Sequence, residues 1–308
     1  MMGRMKPATG YMHSGYAESL AEFGNPRLLP RSGGQILERL IPSFTDRDAM
    51  GCYPLFTCRD WTPLQADLAE IGTDLVCLSL VTDPFGACDE QSLKQCFPDV
   101  VIPFKQHFVA DLRQPVDKSV SKHHRYYAQK ALGSVSVEIC DEPQEFLDEW
   151  VELYAHLIAR HQLKGFKAFS RNAFAQQLRV PGIVMFRATH QGVPVGAHLW
   201  YVQGEVAHSH LMAVNAVGYE LMASYALYWF ALERFRGQVR WLNFGAIAGV
   251  DGEATDGLAR FKRGWTSETR TSYFCGRIFD QKRYAKVLAI RGIGANNYFP
   301  AYRKGEFA

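Results

Sequence analysis

Between residues 134 and 279 the apolar positions change period in a definite order, and that order predicts a series of elements. Residues 134–140 (SVSVEIC) alternate small polar and apolar side chains, as a half-buried strand does. Asp141 is placed to cap the helix that follows, with Pro143 in its first turn. Phe146, Leu147, Trp150, Val151, Tyr154, Leu157 and Ile158 then recur at 3.6-residue spacing and form one apolar stripe. A second, shorter helix is expected from Ser170. Three strand-like runs come next, at 182–189, 193–202 and 205–214, the last two joined by a tight hairpin at Gln203-Gly204. A long amphipathic helix is expected over 217–235, then a strand at 239–244, a short helix at 256–263 and a strand at 269–279. The order is β-α-α-β-β-β-α-β-α-β.

The first 130 residues carry a weaker signal. GGQILERLIP, TDLVCLSLV and VVIPFKQHFVADL read as strands and residues 61–71 as a helix, so this half is also mixed α/β. Gly24-Asn25-Pro26 and Ser32-Gly33-Gly34 punctuate it as turns. No short-period repeat or low-complexity linker interrupts the chain.

Composition bounds the reading further. With 308 residues, 47% of them hydrophobic, the chain can bury a large core, which excludes a disordered protein. The net charge is only +3, but it is unevenly spread. From Gly257 to Ala308 eleven Lys or Arg stand against Glu268, Asp280 and Glu306, a local surplus of eight positive charges. Such a surplus suits phosphate contacts with a nucleic acid or nucleotide; the alternative is a solvated helix face and a charged terminus. Seven cysteines without a C-x-x-C pair argue against a structural zinc or a secreted disulfide framework and read as reduced, mostly buried thiols. No apolar run is long enough to span a bilayer, and the first twenty residues lack a signal-peptide core, so the expected location is the cytoplasm.

Several segments together resemble the Fem-type peptidyltransferases, two-lobed members of the GNAT acyltransferase superfamily. Residues 119–139 (SVSKHHRYYAQKALGSVSVEI) resemble that family's basic helix and the strand it leads into. GYELMASYALYWFALERFRGQ and RWLNFG resemble its central helix and strand, and GLARFKRGW (257–265) matches its Phe-Lys pair in a short helix ending at Gly and an aromatic. The resemblance implies an α/β fold with a mixed sheet and two GNAT-like lobes. The first lobe would hold residues 1–133 with 280–308 returning to complete it, and the second residues 134–279. It also implies amide or peptide bond formation, with charged tRNA as donor and a small-molecule or peptide amine as acceptor. No cofactor is then needed. In that family the Phe-Lys pair lies near the 3′ end of the tRNA, so Phe261 would pack or stack there and Lys262 would set its ammonium beside the ester. A fixed cation lowers the barrier to aminolysis, because negative charge develops on the carbonyl oxygen and then on the leaving ribose oxygen. Phe261 also falls in a stripe with Leu258 and Trp265, the pattern of ordinary core packing. Arg260 and Arg263 flank the pair as further substrate-binding candidates.

GNAT enzymes that use acetyl-CoA present a glycine-rich loop between the fourth strand and the next helix, whose N–H groups hold the pyrophosphate. Here that stretch reads AVNAVGYELMA, with the single glycine Gly218 and the acidic Glu220. Aminoacyl-tRNA is therefore the expected donor. The alternatives are an acyl-CoA-dependent N-acetyltransferase or N-acyltransferase acting on a sugar or small amine, and a non-catalytic module that binds RNA or a precursor.

In this fold the reaction takes place where the fourth and fifth strands splay apart, which nominates Asn243 and Gly245 for substrate binding. His208 and His210 share a face of the fourth strand; His210 could take the amine proton and His208 contact substrate, or both could be ordinary half-buried strand histidines. A turn at Gln203-Gly204 pairs residue 199 with 208 and sends His198 to the opposite face, so no three-histidine metal site is expected. Asp251, Glu253 and Asp256 could bind a cation or an amine, or Asp256 could cap its helix. Lys122, His123, His124 and Arg125 form a second basic patch, with Lys122 and Arg125 the candidates for an acidic acceptor; the alternative is again a solvated face.

Overall fold

The alternating runs become strands because each can bury one face, and the computed structural model shows which residues do so; it describes residues 7–162, 165–247, 256–294 and 296–306. Among these, the strands are β1 (Asn25–Leu29), β2 (Gly34–Leu40), β3 (Arg47–Gly51), β4 (Cys77–Val81), β5 (Val100–Asp111), β6 (Ser136–Cys140), β7 (Ile183–His190), β8 (Val193–Gln203), β9 (Val206–Val214), β10 (Trp241–Asn243) and β11 (Thr269–Ile278). The helices are α1 (Ser14–Glu18), α2 (Leu64–Ile71), α3 (Glu90–Cys96), α4 (Val116–Ser119), α5 (Lys122–Leu132), α6 (Leu147–His161), α7 (Arg171–Gln177), α8 (Ala216–Glu220), α9 (Ala223–Phe235), α10 (Asp256–Arg263) and α11 (Gln281–Ile290). The architecture is mixed α/β, and no described helix is long and apolar enough to cross a membrane.

Backbone contacts gather a central unit, Met1–Gly10, Gln106–Lys164 and Ser170–Arg270, and an N-terminal unit, Tyr11–Lys105, Gly165–Phe169 and Thr271–Ala308. The divisions fall at 105/106 and 270/271, not at 133/134 and 279/280. The physical reason is α5: Ala128 and Ala131 are buried in the same cluster as Ala223, Leu227 and Ala231 of α9, which ties the helix to the central unit.

In the central unit the strands run in the order β5-β10-β9-β8-β7-β6. The pair β9/β10 is parallel and the other neighbours are antiparallel. On one face Phe186 and Trp200 meet Phe235 of α9 at ring distances of 5.5 and 5.4 Å. On the other face Tyr201 donates its hydroxyl to the Gln177 carbonyl of α7 at 3.0 Å, and Phe174 of α7 packs on Trp150 and Tyr154 of α6. Buried aromatic side chains of this size dominate core energetics, about 2–3 kcal/mol apiece by area.

Three local expectations need correction. Ser170 caps α7 through the Ala173 amide as expected, but Asp141 caps nothing: a 3-10 turn at Pro143–Phe146 intervenes and α6 starts from Phe146. The helix expected over 217–235 is two helices, because Met222 takes the left-handed conformation (φ 58°) between α8 and α9. The β8/β9 turn is at Gly204-Glu205, with Gln203 opposite Val206, so Tyr201 rather than Leu199 faces His208. That shift is two residues and keeps the side chains of Val206 to Ser209 on their expected faces; a bulge between Leu199 and Trp200 then sets His198 opposite Met212 and reverses the faces from Leu211 onward.

In the N-terminal unit the order is β1-β2-β3-β4-β11, with β3/β4 parallel. The stretch read as a turn at Gly24-Asn25-Pro26 begins β1, an edge strand, where a proline near the start costs no ladder hydrogen bond. The C-terminal segment is held by a buried ion pair: Arg303 donates to both Asp48 oxygens at 2.6 and 2.8 Å, and Tyr302 donates to Asp48 at 3.0 Å. Arg283, Arg291 and Arg277 likewise spend hydrogen bonds on Asp46 and Asp280, on the Tyr302 and Pro42 carbonyls, and on the Cys96 carbonyl. Much of the basic tail is therefore structural. All seven cysteines are free thiols, six of them buried.

Candidate active site where two strands part

Strand β10 pairs with β9 only through Trp241, Leu242 and Asn243, opposite Val206, Ala207 and His208. Beyond that point β9 runs on to Val214 while β10 has ended, so the two parallel strands part at Asn243. The side chain of Asn243, 2% exposed, is fully engaged there. Its Oδ1 accepts from the Gly245 amide at 2.9 Å and lies 3.2 Å from His107 Nδ1, and its Nδ2 lies 3.1 Å from His208 Nδ1. A backbone N–H can only donate, so the atom beside Gly245 must be the amide oxygen. It follows that His107 carries its proton on Nδ1 and that Asn243 Nδ2 donates to an unprotonated His208 Nδ1. Asn243 thus organises two imidazoles, and Asn243 and His208 do not project as substrate contacts. His107 was not singled out in the sequence, since only the non-local pairing of β5 with β10 brings it here.

Gly245 follows with φ 76°, a conformation that side chains with a Cβ rarely adopt, and its carbonyl accepts from Phe108 at 3.2 Å. The next carbonyl, that of Ala246, accepts from Lys262 Nζ at 2.6 Å, and the same nitrogen lies 3.4 Å from where a Cβ on Gly245 would sit. Lys262 is 7% exposed. It comes from α10, whose limits match the helix expected from sequence. The Phe-Lys helix therefore sets a buried ammonium against the backbone just past the point where β9 and β10 part.

Phe261 turns the other way, into a nest of rings. Its centroid lies 5.0 Å from Tyr225, 5.1 Å from Tyr228, 5.6 Å from His124 and 5.9 Å from Trp265. His124 is fixed at both nitrogens: Nε2 donates to the Phe261 carbonyl at 2.8 Å and Nδ1 accepts from the Ser121 hydroxyl at 3.1 Å. Burial lowers its pKa, with the Phe261 carbonyl opposing the shift. The glycine closing GLARFKRG is explained by the same ring, since a Cβ on Gly264 would stand 1.9 Å from His124 Cε1. His124 thus belongs to this nest and not to a solvated basic patch.

The other histidines separate by face. His198 Nε2 lies 2.8 Å from Ser209 Oγ, Ser209 is also bonded to the Tyr228 hydroxyl, and the His198 ring lies tilted against Tyr228 at 4.9 Å. Burial, and secondarily the Lys262 charge, hold its pKa well below the ordinary value. The sequence expectation that His198 faces away from His208 and His210 is met, yet it is His198 that feels Lys262. His210 lies against Tyr201 at 4.8 Å and 3.2 Å from Gln177 Oε1, with its pKa pushed down to about 3 by burial. An imidazole whose basicity is lowered this far is a weak general base near neutral pH, so the geometry adds no support to the role expected of His210.

Arg260 and Arg263 are exposed on α10, Lys122 is exposed on α5, and Arg125 is half-buried with its Nε lacking a hydrogen-bond partner among the described residues. Asp251 and Glu253 lie outside the described residues, as does the side chain of Asp256. Gly218 is no phosphate loop. Its amide donates to the Asn215 side chain at 2.9 Å, and a Cβ there would meet the Val195 carbonyl at 2.2 Å, so close packing accounts for the glycine.

Known proteins match part of the sequence and the overall fold. The model of the acetyltransferase (GNAT) domain matches residues 117–263, the stretch that holds α5, the parting strands and the Phe-Lys helix. Among solved structures FemX superposes with a TM-score of 0.67 at 12% identity, covering 92% of this chain and 95% of FemX. The C-terminal domain of a protein titled a lysylphosphatidylglycerol synthetase, from Agrobacterium fabrum, gives 0.61 at 13% identity, over 90% of this chain and 91% of its own. L-PGS from Bacillus licheniformis gives 0.56 at 15% identity, over 94% of this chain and all of its own. No curated protein sequence matches the chain. Residues 117–263 thus match the acetyltransferase (GNAT) domain, and the chain shares the fold of FemX.

Proposed function

We propose that the protein is an N-acyltransferase of the Fem/GNAT type that moves an aminoacyl group from aminoacyl-tRNA to an amine. The acceptor nitrogen attacks the ester carbonyl carbon, an amide bond forms, and the carbon–oxygen bond to the terminal ribose breaks. The proton lost by the amine ends on the ribose hydroxyl. The observation that carries the reading is the buried ammonium of Lys262 beside the opening of β9 and β10, where it would stabilise charge first on the carbonyl oxygen and then on the ribose oxygen. Because the ester is already activated, holding the amine against it supplies much of the rate, and no covalent intermediate or cofactor is required.

Aminoacyl-tRNA is preferred to acyl-CoA as donor because the segment after β9 does not offer a pyrophosphate its amides: that of Gly218 is taken by Asn215, and Glu220 is exposed nearby. The test is incubation with a mixture of radiolabelled charged tRNAs and candidate amines, with and without RNase. RNase-sensitive transfer of label into a small amine or peptide supports the reading. Transfer from acetyl-CoA alone, together with thermal stabilisation by CoA, replaces it with an acyl-CoA-dependent enzyme.

A further inference from the structure

Tyr228 of α9 is the ring against which both parts of the site rest. It is stacked on Trp265 at 5.5 Å, stands edge-on to Phe261 at 5.1 Å, and lies 5.4 Å from Phe244, the residue after Asn243. Phe261 and Trp265 belong to the Phe-Lys segment. Phe244 leads instead into Gly245 and Ala246, whose carbonyls accept from the Phe108 amide and from Lys262 Nζ. A turn of this one ring therefore moves the ammonium and its acceptor relative to each other.

Hydrogen bonds that cross from helix to sheet fix the far end of the ring. The Tyr228 hydroxyl is bonded to the Ser209 side chain on β9, and Ser209 Oγ lies 2.8 Å from His198 Nε2 on β8. Burial pushes the phenol up to about 12, the Ser209 bond opposing that shift, so it keeps its proton. His198 is completely buried, its ring 4.5 Å from Trp200 and 4.9 Å from Tyr228. Its other nitrogen, Nδ1, has no hydrogen-bond partner among the described residues. Held neutral by burial, and secondarily by the Lys262 charge, the imidazole sets no second cation beside that ammonium.

Packing alone would not select these three groups. They lie within an apolar cluster that includes Trp200, Phe235 and Phe244, and a buried nitrogen left unpaired costs stability that an apolar side chain of similar shape would keep. What a buried polar chain supplies is one defined geometry, because its bonds are made in a single orientation of the ring.

We propose that Tyr228, Ser209 and His198 form a positioning chain for Lys262: the two strand side chains fix the tyrosine ring, and the ring seats the Phe-Lys helix so that the ammonium meets the Ala246 carbonyl. All three act through Lys262. The consequence for catalysis rests on the role proposed above for that ammonium, and the geometry does not.

The test reads the ammonium itself, by NMR on the full chain carrying isotopically labelled lysine, with the Lys262 signal assigned by its loss in Lys262→Ala. A buried ammonium held by a carbonyl exchanges its protons with water slowly. Ser209→Ala and Tyr228→Phe each remove a single oxygen from the chain and should speed that exchange about fivefold, the effect of one lost hydrogen bond. Ser209→Thr keeps the hydroxyl and should restore the parental value. In steady-state transfer the first two variants should lower kcat by a similar factor and leave KM unchanged. Absence of a slow signal in the parent, parental exchange in both variants, or a threonine variant as fast as the alanine one overturns the chain. A lowered melting temperature with changes spread over every lysine signal overturns it too, since that marks ordinary packing. Its fate separates from that of the donor reading. Exchange that responds to the variants while the parent transfers nothing from charged tRNA leaves the chain standing and sinks the donor, and RNase-sensitive transfer with parental exchange in both variants does the reverse.

Discussion

In the N-terminal unit Asp48 is completely buried and its carboxylate is met by Arg303 on both oxygens, by the Tyr302 hydroxyl, and by Arg39 at 3.6 Å. Glu306 in turn accepts from Arg39 and Arg303 at 2.8 and 3.1 Å. In the central unit one buried carboxylate, Asp111, is also paired with arginines, but around the Phe-Lys helix the buried polar groups include another kind: imidazoles at His107, His124, His198 and His208, the Asn243 amide, and an ammonium that donates to a backbone carbonyl. Opposite charges packed together cancel and fix a chain terminus. Imidazoles held by hydrogen bonds, one of them within reach of the Lys262 charge, leave a field that a reacting oxygen could use, because buried polar groups are costly unless their geometry is fixed. The first arrangement is what a scaffold requires and the second is what a site requires.

That contrast can be broken by substitution, and the largest effect is expected in the N-terminal unit. Asp48→Ala leaves Arg303 and Arg39 buried beside no carboxylate and should cost about 3–5 kcal/mol of stability in urea denaturation; a loss below about 1 kcal/mol would show that the pair is not a lock. Gly264→Ala drives a methyl into His124 and should cost about 1–3 kcal/mol while disturbing the Phe-Lys helix. The check is its melting temperature beside that of Gly257→Ala, where a Cβ meets nothing within 4 Å.

A pH titration sharpens the comparison. His210 has its folded pKa pushed down to about 3 from 6.5, so the unfolded chain takes up a proton first as pH falls. Its contribution to stability is fully present above pH 6.5 and is lost as pH drops toward about 3. His210→Gln should therefore flatten the acid limb of the stability profile in that window, and an unaltered limb contradicts the buried neutral ring. The smallest effect is expected for Asp148→Ala. That change opens the exposed Arg171–Asp148 pair, 60% and 87% exposed, and should shift stability by at most about 1 kcal/mol.

How much of this was legible in the sequence differs between the same two regions. From 134 onward, periodicity and turn residues located every strand of the central fold, and α10 matched to the residue, because each element buries one face along a locally regular pattern. Failures came where the cause is non-local. β1 was hidden by Pro26, which only an edge position tolerates, and β3 is a five-residue strand of RDAMG with no alternation to show. The left-handed turn at Met222 and the bulge at Leu199/Trp200 leave no mark in composition. At the site, the Phe-Lys pair and Asn243 were visible as motif and strand end. His107 and the fixing of His124 by Phe261 depend on pairings more than a hundred residues apart. For His210 strand parity gives the face of the side chain but not the contact with Gln177 and Tyr201 that covers it.

The claim at the centre is that the ammonium of Lys262 acts on the ester being cleaved. The direct measurement is single-turnover transfer from one purified charged tRNA to its amine, comparing the parent with Lys262→Ala. Loss of a fixed donor to the developing oxyanion should slow transfer on the order of 10²–10³-fold, with the melting temperature and RNA affinity changing little by comparison. Transfer at the parental rate by the alanine variant would contradict the account.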